Sequence, residues 1–166
     1  MTVMKTLLIV YHSLTGGTRQ MVMAAADGAL TELGIRVLVK HARDTHVDDV
    51  LHAAGYLFAT PETLGSMSGL LKDFFDRTYY PALEQLNGRP YASLICAGSD
   101  GQGAARQIER IATGWRLKSA APPLIICTHA QTLEAILNPK QIPTVDLDAC
   151  RELGAALASG LALGIF

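Results

Sequence analysis

Five short apolar runs, each followed by a segment of helical periodicity or a turn, constrain this chain more than any other feature. The runs cover residues 4–11, 35–39, 56–60, 91–97 and 124–128. Each is nearly continuous in apolar residues, as expected of a strand buried on both faces of a parallel sheet. After the first run, Met21, Val22, Ala25, Ala26, Ala29, Leu30 and Leu33 recur at the helical period. That spacing predicts a helix from Thr18 to Leu33, with Gly34 placed to close it. A short helix is expected within 44–54 and another over 67–80, stopped by Pro81. Two more are expected over 102–115 and from Asp146 to about Leu161, after a less regular stretch at 129–145. Pro61 is expected to break the third strand. Crossovers of this length run strands parallel and right-handed, giving an α/β chain built as a three-layer α/β/α sandwich on a five-stranded parallel sheet. Periodicity leaves the strand order open.

Composition narrows the function classes. With 166 residues, 49% apolar and 17% charged, the chain suits one domain with a substantial core. A net charge of −1 without a Lys/Arg stripe argues against nucleic acid as a partner. No apolar tract reaches membrane-spanning length, and the N-terminal run is too short for a secretory signal. Cys96, Cys127 and Cys150 form no CxxC pair, and the five histidines show no ligand spacing. Both points argue against a metal and for a reducing compartment, taken to be the cytoplasm.

Three polar, glycine-bearing loops, 12–18, 60–66 and 97–103, follow the carboxyl ends of strands one, three and four. The first joins a strand to a helix N-terminus, where hydroxyls, backbone N–H groups and the helix dipole together suit a phosphate. Alone, it reads equally well as a turn in which Thr18 caps the helix. Three such loops on one sheet edge are hard to explain as packing alone.

Ser13-Leu14-Thr15-Gly16-Gly17-Thr18 resembles the phosphate loop of the flavodoxin-like proteins. Thr60-Pro61-Glu62-Thr63-Leu64-Gly65-Ser66-Met67-Ser68-Gly69, running into Leu71-Lys72-Asp73-Phe74-Phe75-Asp76-Arg77, resembles the second flavin loop and helix of one branch of them. That branch is the NAD(P)H-dependent FMN and quinone reductases, and the likeness covers roughly residues 4–160. It implies the flavodoxin-like strand order 2-1-3-4-5 and a single FMN-binding domain over residues 1–166. Ser13, Thr15, Gly16, Gly17 and Thr18 would then hold the FMN phosphate without help from Lys or Arg. Pro61, Glu62, Thr63, Leu64, Gly65, Ser66 and Met67 would line the isoalloxazine ring, with Gly65 bringing main chain to its N5 edge. Gly98, Ser99, Asp100 and Gly101 would cover the pyrimidine side.

The resemblance also implies NADPH or NADH as donor, hydride transfer through flavin N5, and a quinone or flavin as acceptor. It implies no side-chain acid/base pair, because the cofactor carries the chemistry. It further implies a homodimer or homotetramer, with Tyr79, Tyr80 and Leu161–Phe166 as candidate contacts. Loops 60–66 and 97–103 depart from electron-carrying flavodoxins in having no aromatic residue. An open ring face and a near-neutral charge favour a reductase over the alternative, a flavodoxin-type electron carrier without nicotinamide activity. Asp100 would either repel a reduced flavin or cap the next helix. His12 reads as a charge beside the phosphate or an exposed residue, His129 as a crevice donor or a rim residue, and Trp115 as core.

Overall fold

The computed structural model describes residues 3–166. The first half of the chain contains β1 (Lys5–Tyr11), α1 (Gly17–Ala29), β2 (Ile35–His41), α2 (Val47–His52), β3 (Gly55–Thr63), β4 (Ser66–Met67) and α3 (Gly69–Ala82). The second contains β5 (Pro90–Ala97), α4 (Gln102–Gly114), β6 (Lys118–Ser119), β7 (Leu124–Cys127), α5 (Leu133–Leu137) and α6 (Thr144–Leu163). Five main strands pair in parallel in the spatial order β2-β1-β3-β5-β7. Counted along the chain, that is 2-1-3-4-5, the flavodoxin-like order.

Two short strands extend this sheet to seven. β6 and β7 share the fifth place on the far side of β5, with Pro122-Pro123 between them. Proline has no N–H to give a ladder, so the strand position is interrupted there. β4 runs antiparallel to the end of β3, pairing Glu62 with Met67 and Thr63 with Ser66.

Strand alternation divides the core between the two faces of the sheet. Leu8, Val10, Tyr56 and Phe58 pack with Val50 of α2, Phe74 of α3 and Ile108 of α4. Leu7, Ile9, Leu57 and Ala59 pack with Met21 and Val22 of α1 and with Leu157 of α6. Phe58 centres the first cluster, 5.1 Å from the ring of Phe75 and 5.7 Å from that of Tyr56. Trp115 is fully buried in the same cluster.

The structure corrects four local expectations. Pro61 does not break β3, which continues to Thr63. β1 makes its last pairing with β3 at Ala59, so Pro61 has no β1 partner to lack a hydrogen bond with. α1 ends at Ala29 rather than Leu33, because the Thr31 hydroxyl and amide both turn back onto the Gly28 carbonyl. Leu33 is consequently exposed. Pro81 does not stop α3 at Tyr80 but lies inside its last turn, which runs to Ala82. Of the candidate interface residues, Tyr79 stacks on Trp115 at 5.7 Å and Leu161 is buried, whereas Tyr80 and Ile165 are exposed.

α1 and α6 cross in close contact on two glycines. A Cβ on Gly28 would collide with the Arg151 carbonyl, and one on Gly154 with the Ala25 carbonyl. This crossing fixes the axis of α1 and so the direction in which its first turn opens. Gly154→Ala tests it, because helix propensity alone would make the variant about 1 kcal/mol more stable. Urea unfolding should instead show a loss of about 1–3 kcal/mol from overpacking.

Candidate functional site

The carboxyl ends of β1, β3, β5 and β7 surround a cavity of about 460 Å³, within the ~300–1,000 Å³ range of small-molecule sites. Ser13, Thr15, Gly17 and Thr18 line it from the first loop, with Leu14 between them. Pro61, Glu62, Thr63 and Leu64 line it from the second, and Gly98 and Ser99 from the third. Topology alone produces this convergence, since parallel strands deliver all their following loops to one edge.

The first loop ends at Gly16, whose φ of +89° a residue with a Cβ adopts only with strain. That turn starts α1 with no side-chain cap. The Ser13 hydroxyl accepts from the Arg19 amide at 3.2 Å. Gly17 and Thr18 carry first-turn amides for which the helix itself supplies no partner. Thr18 lines the cavity and is 1% exposed, and its buried hydroxyl has no hydrogen bond among the described residues. A buried polar atom left unpaired costs about 1–3 kcal/mol, so the fold leaves an unsatisfied donor and acceptor here. Below the loop lies Cys96. A Cβ on Gly17 would approach its Sγ to 2.6 Å, so only glycine lets α1 begin this close to β5.

The second loop is a hairpin docked onto α4. Leu64 and Gly65 both have positive φ, 53° and 73°, as a tight two-residue hairpin turn between β3 and β4 requires. Leu64 stands at the tip, 99% exposed. Three contacts tie the hairpin to α4. Glu62 accepts from the Gly101 amide at 2.9 Å and, through its other oxygen, from the Ala104 amide at 3.1 Å. The Met67 amide donates to Gln107 Oε1, and Gln107 Nε2 to Ser66 Oγ. Finally, the Gly65 carbonyl packs so near Gly103 that a Cβ there would collide with it.

These contacts revise the expected site. Gly65, Ser66 and Met67 do not line the cavity, because the hairpin turns them toward α4; Met67 is core. Gly101 also lies outside the lining: it is the N-cap of α4 at φ +90°, packed on Ile125. Asp100 folds back instead, its Oδ1 accepting from the Gln102 amide at 3.3 Å. Gly16 faces the neighbouring groove between α1 and α6. His12 is buried rather than exposed, with an unpaired Nδ1. Burial, then the charges of His41 and Arg43, lower its pKa below the ordinary 6.5, so the fold favours its neutral form. His129 is exposed at φ 58° and does not line the cavity.

The sequence reading missed one wall altogether. Thr128, Ala130, Gln131, Ile136 and Lys140 line the cavity from the segment between β7 and α6. The Lys140 amide donates to the Thr15 carbonyl at 2.8 Å, and Gln20 of α1 bonds the Lys140 carbonyl and the Ile142 amide. The available signal was positional: this stretch follows the fifth strand and so belongs to the same edge. Among the described residues, no group of three or more His, Cys, Asp or Glu is placed to hold a metal. Nor is any helix long and apolar enough to cross a membrane.

Comparison with known proteins agrees with this geometry. The model of the NADPH-dependent FMN reductase family matches residues 4–125. An NAD(P)H dehydrogenase (quinone) of Acidithiobacillus ferrooxidans is 34% identical over 95 residues, 45% of this chain and 48% of that protein. A flavodoxin of Aquifex aeolicus is 30% identical over 100 residues, 60% of this chain and 54% of that protein. The matches thus span about half the length of these curated relatives. Among solved structures, an archaeal flavodoxin superposes with a TM-score of 0.74 at 21% identity, covering 94% of this chain and 98% of its own. A WrbA-like flavodoxin from Agrobacterium tumefaciens gives 0.71 at 17% identity, covering 95% and 97%. At those identities the superpositions establish the fold.

Two predictions test the site's framework. Glu62→Ala removes the carboxylate that holds the Gly101 and Ala104 amides at the start of α4 and should lower the unfolding free energy by about 1 kcal/mol. The Gly101 and Ala104 amides should exchange faster with deuterium in that variant. The second concerns pH. Because the fold lowers the His12 pKa, the unfolded chain binds more protons below the ordinary 6.5. The contribution of neutral His12 is therefore complete above that value and lost as pH falls through the folded pKa. His12→Gln should flatten the fall in urea midpoint between about pH 6.5 and 5.

Proposed function

The chain belongs to the NADPH-dependent FMN reductase family, and from that premise we propose that it binds FMN in the cavity and reduces a quinone or a flavin at the expense of NAD(P)H. The observation that carries this reading is the open first turn of α1, with the Thr18 hydroxyl buried and unpartnered against the cavity. Open first-turn amides are the donors that a phosphate takes at a helix N-terminus. The residues present fit the cofactor. Ser13, Thr15, Gly17 and Thr18 would hold its phosphate, while Pro61, Thr63, Leu64, Gly98 and Ser99 would flank its ring system. Leu14, Leu64 and Ile136 add apolar surface at the cavity, suited to a planar aromatic ring.

Bound FMN supplies the two-electron redox chemistry; the protein binds it, orients it and controls what reaches it. No lining residue is aromatic, so no ring of the protein occupies the face against which a nicotinamide or quinone would stack. Glu62, although at the cavity, is committed to the amides of α4 and serves to position the second loop rather than to move protons. Three unpaired cysteines suit the reducing conditions of a cytoplasmic enzyme. A homodimer or homotetramer would use the exposed Tyr80 and Ile165 rather than the packed Tyr79 or Leu161.

The alternative is a flavodoxin-type electron carrier, favoured by the likeness to the Aquifex aeolicus flavodoxin. An anaerobic absorbance experiment separates the two. Protein mixed with FMN and desalted should retain flavin absorbance, and NADPH should bleach it. Retained flavin that NADPH leaves untouched, but dithionite reduces, would establish the carrier. Loss of all flavin on desalting, with no NADPH oxidation in the presence of added FMN, would exclude both.

A further inference from the structure

We propose that Lys140 makes the cavity discriminate between a phosphorylated flavin, FMN, and unphosphorylated riboflavin. The assignment rests on the cavity being the FMN site. Two charged side chains line that cavity, Glu62 and Lys140, and they stand on different walls. Glu62 is engaged by the α4 amides it caps. Lys140 lies on the wall of the open helix: a Cβ on Gly17, at the first turn of α1, would come within 3.4 Å of the Lys140 Cβ.

Its position is fixed from both sides. The Lys140 amide is bonded to the Thr15 carbonyl, and its carbonyl to Gln20 Nε2 at 2.7 Å. Gln20 Nε2 also donates to the Gly16 carbonyl, so one side chain ties Lys140 to the glycine that turns the chain into α1. The ammonium donates to the Ile136 carbonyl at 2.8 Å and the Asn138 carbonyl at 2.6 Å. An ammonium has three hydrogens, and two carbonyls use two of them. Ile136 and Lys140 both line the cavity, and the two ammonium bonds lie at its exposed rim. The Cys96 thiol on the cavity floor registers the same charge: burial pushes its pKa up, and Lys140 acts in the opposite direction.

A phosphate dianion at the α1 N-terminus would meet dipoles from the amides and the Thr18 hydroxyl, but no full positive charge from the first loop's lining residues. Lys140 supplies that charge from a segment far along the chain. Charge-assisted hydrogen bonds are worth more than neutral ones and apply only to the phosphorylated ligand. A purely structural lysine, capping α5 through the two carbonyls, would affect both flavins alike.

The test is flavin fluorescence quenching with FMN and with riboflavin, on the unaltered protein, Lys140→Gln and Lys140→Arg, each checked for an unchanged unfolding midpoint. Lys140→Gln should weaken FMN on the order of tenfold to a hundredfold and leave riboflavin unchanged, whereas Lys140→Arg should retain most of the FMN affinity. The salt dependence of FMN binding should also be smaller in Lys140→Gln. Equal losses for FMN and riboflavin would reduce Lys140 to a structural role, and no change for either would remove it from the site; both results overturn the assignment and leave the FMN reading intact. If the unaltered protein binds neither flavin, the FMN reading fails and this assignment falls with it.

Discussion

Among the helices that begin at the carboxyl edge of the sheet, α1 and α4 differ in what meets their first turns. Each starts from a glycine with φ near +90° and neither carries its own side-chain cap. An uncapped N-terminus concentrates unpaired amides and a partial positive charge, so both are potential anion sites. At α4 the carboxylate of Glu62 fills that role from another element. At α1 the Ser13 hydroxyl takes only the Arg19 amide, and Gly17 and Thr18 line the cavity with the buried Thr18 hydroxyl unpartnered. The polarity of the site follows from this difference. A ligand with one anionic end has one helix to bind and is turned away from the other.

The same contact that closes α4 also couples two loops. Glu62 belongs to the second loop and the amides it holds belong to the third loop's helix. Gln107 and the close approach of Gly65 to Gly103 extend this attachment along the hairpin. The second and third loops are thus a single packed body on one side of the cavity, and the first loop stands on α1, fixed by its crossing with α6. The relative placement of these two bodies depends on the buried strands between them, β1, β3 and β5, which form the least exposed part of the core.

The layering and the cavity's edge were legible in the sequence because both follow from periodicity. Continuous apolar runs mean strands buried on both faces, and parallel strands bring their following loops together whatever those loops contain. The first loop was legible for the same reason, since its hydroxyls and glycines lie within one turn of chain. The second loop was only half legible. Periodicity cannot show that Leu64-Gly65 forms a tight hairpin, and that turn is what sends Ser66 and Met67 to α4 and leaves Leu64 at the tip. Proline rules misled at Pro61 because whether a missing N–H matters depends on a neighbour strand's end, a tertiary fact. Glu62 read as a ligand contact by its place in a motif, yet its partners lie 39 and 42 residues away.

The fourth wall shows why a local reading of the phosphate site stayed incomplete. The first loop contains enough donors to account for a phosphate, so nothing within it points to a missing charge. That charge comes from Lys140, 120 residues beyond the Gln20 side chain that secures it. The chain returns over α1 between β7 and α6 because the fifth strand and the last helix lie on opposite sides of the cavity edge, and the connecting segment has to cross it. Such a segment is irregular in sequence, with Asn138-Pro139 and Pro143 excluding a long helix. Its side chains nonetheless reach the site by route rather than by motif. The tie to the first loop is made by the Lys140 backbone amide, so replacing the side chain alters the charge while leaving that bond in place.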